Sequence, residues 1–144
     1  MEGVDLTYLL DTGPWVNGVT LPAVFPERIR LLLSSSEIKG VSTLSLLETA
    51  ILHRLGRIGV RSSLTEFFAS ALASDIQLIE LSPAIAAHTN NLPATFQGDP
   101  FDRTIVATAA VLNLTLITSD AQIRDAGACR VEFYPFKPSR RFRS

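Results

Sequence analysis

A length of 144 residues supports one domain, and a content of 47% hydrophobic and 19% charged residues excludes a disordered chain. The formal net charge of −1 excludes an overall polycation, although Lys137, Arg140, Arg141 and Arg143 put four positive charges in the last eight residues and leave −5 on residues 1–136. The expected organisation is therefore a folded unit over 1–136 and a basic tail over 137–144. That tail is either a solvated terminus or a contact for nucleic-acid phosphates. Cys129 is the single cysteine, so no internal disulfide and no zinc thiolate cluster is available; it reads as a small buried residue beside the last strand. The start, MEGVDLTYLLDT, carries Glu2 and Asp5 where a secretory signal carries basic residues. The longest uncharged stretch, 104–119, falls short of the ~20 residues that span a bilayer. A cytoplasmic protein without membrane contact is expected.

In chain order, Thr7–Asp11 reads as a buried strand stopped by a turn at Gly13 and Pro14. Pro26 opens a helix with Ile29, Leu32 and Leu33 on one side. Lys39–Ser42 is a short strand, and Ser42 or Thr43 caps the helix after it. From Leu44 to Leu55 apolar residues recur at helical spacing until Gly56, and a further helix covers Ser63–Ala73. Ile76–Leu81 is a strand, Pro83 to Asn90 a helix, and Asn91–Gly98 a loop. Asp99-Pro100 is a strong helix opening, because Asp caps free N–H groups and Pro suits the first turn. That helix runs to Leu112. Thr115–Thr118 is a strand, a short helix ends at Gly127, and Arg130–Tyr134 is the last strand. Alternating strands and helices imply right-handed crossovers and an α/β fold: a three-layer α/β/α sandwich around a mostly parallel sheet.

Four acids stand out against this pattern. Asp11 and Asp120 end predicted strands, on the sheet edge where open α/β folds bind ligands; each is also a fair turn or N-cap residue. Glu48 lies on the stripe formed by Leu44, Leu47, Ile51, Leu52 and Leu55. A carboxylate there binds a cation, pairs with Arg54 or Arg103, or sits half-wet at the rim. Asp102 precedes Ile105 and Val106 on the inner face of its helix, where an acid also suits the helix dipole. Asp99 is set aside as an N-cap. Were the four to converge, they would repel one another without a cation, and oxygen-only ligands suit Mg²⁺ or Mn²⁺. His53 and His88 have no partner at ligand spacing and read as ordinary helix residues.

LLDTGPWV at Leu9–Val16, SLLETA at Ser45–Ala50, DPFDRTIVATA at Asp99–Ala109 and LITSD at Leu116–Asp120 resemble, in order and spacing, the four motifs of PIN-domain nucleases. The likeness is nearest to the VapC-like toxins of bacterial toxin–antitoxin pairs and covers nearly the whole chain. It implies a PIN-like fold, usually dimeric, with Asp11, Glu48, Asp102 and Asp120 as the acidic quartet that holds Mg²⁺ or Mn²⁺ while water attacks an RNA phosphodiester. It further implies an antitoxin protein as partner, and it matches Thr12, Thr118 and Ser119 to polar positions beside the acids. Many such nucleases have His shortly before DPFDR and just after LLDT; here Gln97 and Gly13 stand there, which bears on substrate choice.

The expected activity is thus a metal-dependent endoribonuclease. Arg103 would meet phosphate or pair with an acid, and Trp15 would stack on a base or pack in the core. The alternative is a catalytically idle PIN-like domain that binds a partner protein. An aspartyl phosphatase would need a second Asp where Gly13 stands, and no Gly-rich loop follows the first strand as a nucleotide fold requires. The apolar content of 44–73, with Phe67 and Phe68, is expected to serve a homodimer or to receive an antitoxin helix.

Overall fold

The computed structural model describes residues 5–73 and 75–136; the basic tail lies outside them. Strands β1 (Tyr8–Leu10), β2 (Lys39–Ser42), β3 (Ile76–Ile79), β4 (Thr115–Thr118) and β5 (Arg130–Phe133) form one sheet in the order β3-β2-β1-β4-β5. Every pairing is parallel. The chain steps outward from β1 to β2 and β3, then returns to lay β4 against the other side of β1. A switch point therefore falls between β1 and β4, and a crevice opens at their C-terminal ends.

Side-chain alternation along the strands fills both faces. Leu10, Val41 and Ile117 join one core with Trp15, Val16, Phe25, Ile29, Phe67 and Ala71. These come from α1 (Thr12–Thr20), α2 (Glu27–Ser34) and α4 (Leu64–Ala71) and from the connection before α2. Leu9 and Leu116 join a second core with Ile105, Val106, Ala109 and Ile123, supplied by α6 (Pro100–Leu112) and α7 (Ala121–Ala126). The expected three-layer sandwich is present, and its sheet is wholly parallel. Helix α5 (Pro83–His88) packs on α6, and α3 (Thr43–Arg54) touches α1, α6 and β2. No helix among the described residues is long and apolar enough to cross a membrane.

Two expectations need correction. TGP is not a turn: α1 begins at Thr12, directly after β1, with Asp11 as its N-cap. Pro14 fits as the third helical residue because the first turn's N–H groups have no intrahelical acceptor. The buried side of α3 is also not its leucine stripe. Ser45 and Thr49 are fully buried, while Leu47 and Leu55 are 54% and 51% exposed. Helix α3 lies close against its neighbours, and small residues permit that approach.

Trp15 settles into the core at 2% exposure. Its indole N–H donates to the Ala71 carbonyl at 2.9 Å, and its ring lies parallel to Phe68, 4° apart with centroids at 6.1 Å. Phe67 is thus interior at 4% exposure, which removes it from any exposed dimer surface, while Phe68 packs on Trp15 and stays partly exposed. Trp15→Ala should cost about 3–5 kcal/mol of stability in urea unfolding. A loss below ~1 kcal/mol would mean that the ring is not a core element.

Candidate active site

Asp11 ends β1 and caps α1, so it sits at the mouth of the crevice. One carboxylate oxygen accepts the Thr12 N–H at 2.8 Å. The other accepts the Thr118 hydroxyl, from the adjacent strand β4, at 2.7 Å. The Thr118 oxygen in turn accepts the Asp120 N–H at 3.0 Å. The last residue of β4 thereby ties the two strand-end acids together. Asp120 turns one oxygen to the Gln122 N–H at 2.8 Å, capping α7.

Glu48 reaches the same crevice from α3. Its Oε1 accepts the Thr12 hydroxyl at 2.6 Å, and that hydroxyl also meets the Ser45 hydroxyl at 2.7 Å. Thr12 has one hydroxyl proton; with Glu48 ionised that proton points to the carboxylate, so Ser45 must donate to Thr12. Among the described residues Glu48 has no basic partner. Arg103 instead donates to the carbonyls of Phe96 at 3.1 Å and Thr89 at 2.7 Å, binding the preceding loop to α6. Acid pairing, one of the two roles weighed for Arg103, is not what this geometry uses. Glu48 is half-buried, the rim placement that was one of its three readings.

Asp99 caps α6 through the Asp102 N–H at 2.8 Å, as its sequence position implied. Yet one carboxylate oxygen from each of Glu48, Asp99 and Asp102 lies within 4.8 Å of the others. Setting Asp99 aside as a cap therefore missed its second relation to the cluster; a cap commits one oxygen and leaves the other. Asp11, Glu48 and Asp102 line one cleft of about 950 Å³ together with Thr12 and Gly13. Asp120 and Asp99 stand outside that lining. Ser45 was also missed, since nothing in a helical pattern marks a buried serine as the support of a neighbouring hydroxyl.

These acids feel one another. Burial raises the Asp11 carboxyl most, the Thr118 and Thr12 donors offset part of this, and Asp120 and Asp99 raise it further. Burial likewise raises Glu48, opposed by the Thr12 hydroxyl and reinforced by Asp11 and Asp99. Asp102 is pushed up to about 7, by burial first and then by Asp11, Asp99, Glu48 and Asp120. Oxygen-only donors, crowded and without a basic side chain paired to them among the described residues, fit a divalent cation such as Mg²⁺ or Mn²⁺. Cysteine chemistry does not compete: the Cys129 thiol is pushed up to about 11, chiefly by burial.

The PIN-domain profile matches residues 8–128, most of the chain, and the chain belongs to the PIN-domain family. It is 30% identical over 103 residues to ribonuclease VapC22 of Mycobacterium tuberculosis, covering 69% of this chain and 78% of that relative. Among solved structures, VapBC2 of Rickettsia felis, bound to a promoter DNA fragment, is similar with a TM-score of 0.67 at 17% identity. That match covers 90% of this chain and 98% of the other. VapC20 of Mycobacterium tuberculosis, a sarcin–ricin loop cleaving toxin, gives 0.60 at 20% identity over 84% and 95% of the two chains. The structural likenesses establish the fold.

A raised folded pKa favours the native state below the unfolded value, and that advantage is lost as pH rises through the folded value. For Asp102 the window runs from its ordinary 3.8 to about 7. In chelator, the melting temperature should therefore rise as pH falls from above 7 toward 4. Asp102→Asn should flatten this dependence and melt no lower than wild type at pH 8. An unchanged pH profile in the variant would show that Asp102 does not experience the cluster.

Proposed function

We propose that this protein is a metal-dependent endoribonuclease that hydrolyses RNA phosphodiester bonds, and that it is the toxin of a toxin–antitoxin pair. The observation that carries the reading is the convergence of Asp11, Glu48 and Asp102 on one cleft at the switch point. Kinship with a VapC ribonuclease supports it. Asp11, Glu48 and Asp102 would hold Mg²⁺ or Mn²⁺, with Asp120 as an outer member of the site and Asp99 beside it. A bound divalent ion supplies charge stabilisation at phosphate and a lowered pKa for water.

The chain's own groups prepare that chemistry. Thr12 N–H and the Thr118 hydroxyl fix the Asp11 carboxylate plane from two sides. The Ser45–Thr12 pair aims Glu48 Oε1 and leaves Oε2 without a protein donor among the described residues. Asp120 keeps one oxygen on its cap and can accept a proton from water at the other. An idle binding domain has no use for such preparation, and no observation favours it.

The partners follow from the same reading: RNA as substrate in the cytoplasm, and an antitoxin protein, as in the toxin–antitoxin complexes that share the fold. A homodimer is part of the proposal. Its argument passes from the buried Phe67 to Leu47 of α3 and Leu55 at the C-cap of that helix, eight residues apart and both exposed. Leu47→Glu should convert a dimer to monomer in sedimentation velocity; a wild type already monomeric at high concentration removes this part of the reading.

Asp11→Asn tests the activity. RNA cleavage with Mn²⁺ should fall by more than the ~10–100-fold typical of losing a group that only orients a ligand, and chelator should abolish wild-type cleavage. Added Mn²⁺ should raise the wild-type melting temperature by mass action and that of Asp11→Asn much less. Equal cleavage and equal Mn²⁺ response in both proteins would make Asp11 a mere cap and remove the site.

A further inference from the structure

The cleft that contains the acids does not end at them. It continues past Leu52 along the connection between α3 and α4, where Gly56 through Ser62 form its wall. Two of these residues are Arg57 and Arg61, the only cationic side chains on the cleft among the described residues. Both are exposed. Four other arginines are bound to protein acceptors: Arg28 to Glu132 and Phe133, Arg103 to Phe96 and Thr89, Arg124 to Asp125, Arg130 to Asn113. Arg30 and Arg54 are exposed on their helices and do not line the cleft. Neither Arg57 nor Arg61 takes part in an ion pair among the described residues.

Their backbone is held at both ends. Gly56 adopts φ +74°, its N–H donates to His53 O at 3.1 Å, and the Arg57 N–H donates to Leu52 O at 2.9 Å. These are the two hydrogen bonds of a Schellman turn, which reverses the chain over the last turn of α3. Leu52 lies one helical turn beyond Glu48, so Arg57 is fastened close to the acidic end of the cleft. At the other end, Ser63 and Glu66 form a capping box with bonds of 3.1 and 3.2 Å, which fixes the entry into α4 just after Arg61.

We propose that Arg57 and Arg61 form a phosphate-binding subsite that holds the RNA strand beside the scissile linkage. The inference rests on the ribonuclease reading and adds the path of the substrate. Crowded carboxylates repel a polyanion, so a strand that enters this cleft needs positive charge next to them. Guanidinium groups supply it and match phosphate oxygens in bidentate geometry. The partly exposed apolar wall of Ile58 and Val60 offers surface to ribose and base without reading sequence.

The experiment compares wild type, the double variant Arg57→Gln/Arg61→Gln, and Arg54→Gln, an exposed arginine of α3 that does not line the cleft. Each is assayed on a labelled single-stranded RNA with Mn²⁺ across a salt series. The double variant should raise KM about tenfold with kcat within about twofold. It should also lower the salt slope of binding by about 1.4, the value for two single-strand phosphate contacts. Its Mn²⁺-induced melting shift should equal that of wild type, and Arg54→Gln should match wild type throughout. If wild type cleaves RNA and the double variant keeps its KM and salt slope, the subsite is wrong while the activity stands. The two arginines would then be left to an acidic protein partner. Equal losses in Arg54→Gln would reduce the effect to overall charge and overturn the subsite. A wild type that cleaves no RNA overturns the ribonuclease reading and the subsite with it.

Discussion

The hydrogen bond from Thr118 to Asp11 joins residues 107 positions apart at 2.7 Å, and the arrangement of the site depends on the strand pairing that makes it possible. Because β4 returns to lie beside β1, the ends of both strands open into one crevice, and α1 and α7 start from its two sides. Helices α3 and α6 then need only pack on their neighbours for Glu48 and Asp102 to face the same space. A parallel sheet with a switch point therefore gathers acids that are remote in sequence without any local motif that joins them.

The two edges of the sheet treat charge differently. At the N-terminal edge, Lys39 is 1% exposed, and its ammonium donates to Leu33 O, Ser35 O and Asp75 at 2.8–3.1 Å. That buried charge is satisfied by the fold itself. At the C-terminal edge the acids have hydroxyl and amide donors but no paired cation among the described residues. Asp11, Asp99 and Asp120 each cap a helix, so three sets of N-terminal amides face the cluster and offset part of its repulsion. Capping commits one oxygen: the other has no protein donor among the described residues at Asp99 and Asp120, and at Asp11 it accepts the Thr118 hydroxyl with a lone pair to spare. The structural and chemical roles of these residues are compatible for that reason, and a cap assignment alone never dismisses an acid.

Much of this was legible in the sequence. The strands read at Thr7–Asp11, Lys39–Ser42, Ile76–Leu81, Thr115–Thr118 and Arg130–Tyr134 correspond to β1 to β5, and the Ser42 and Asp99-Pro100 signals located two helix starts, because strand patterning and capping are local effects. What failed were features that depend on a neighbour. Periodicity put leucines on the inner side of α3, but which side is inner depends on α1 and α6, and their close approach selects Ser45 and Thr49. Gly13 and Pro14 read as a turn because sequence rules do not say that a strand can pass into a helix with Asp11 as the only joint. The support of Glu48 by Ser45 through Thr12 links residues 33 and 36 apart, and no pattern within one helix contains it.

The bonds that hold the α3–α4 connection are of another kind. The Schellman turn at Gly56 and the capping box at Ser63 are closed within a few residues and use no group of the acidic cluster. The exposed Arg57 and Arg61 between them can change without moving Asp11, Glu48 or Asp102, whose positions come from sheet pairing and helix packing. On the proposed reading, chemistry and substrate grip are therefore separable in this chain: the sheet edge would fix where a phosphodiester is attacked, and a short capped loop would set how the strand is held there. Substitution of the exposed Arg57 or Arg61 should then alter recognition at little expense in stability, whereas a change at Thr12 or Thr118 disturbs the carboxylates themselves.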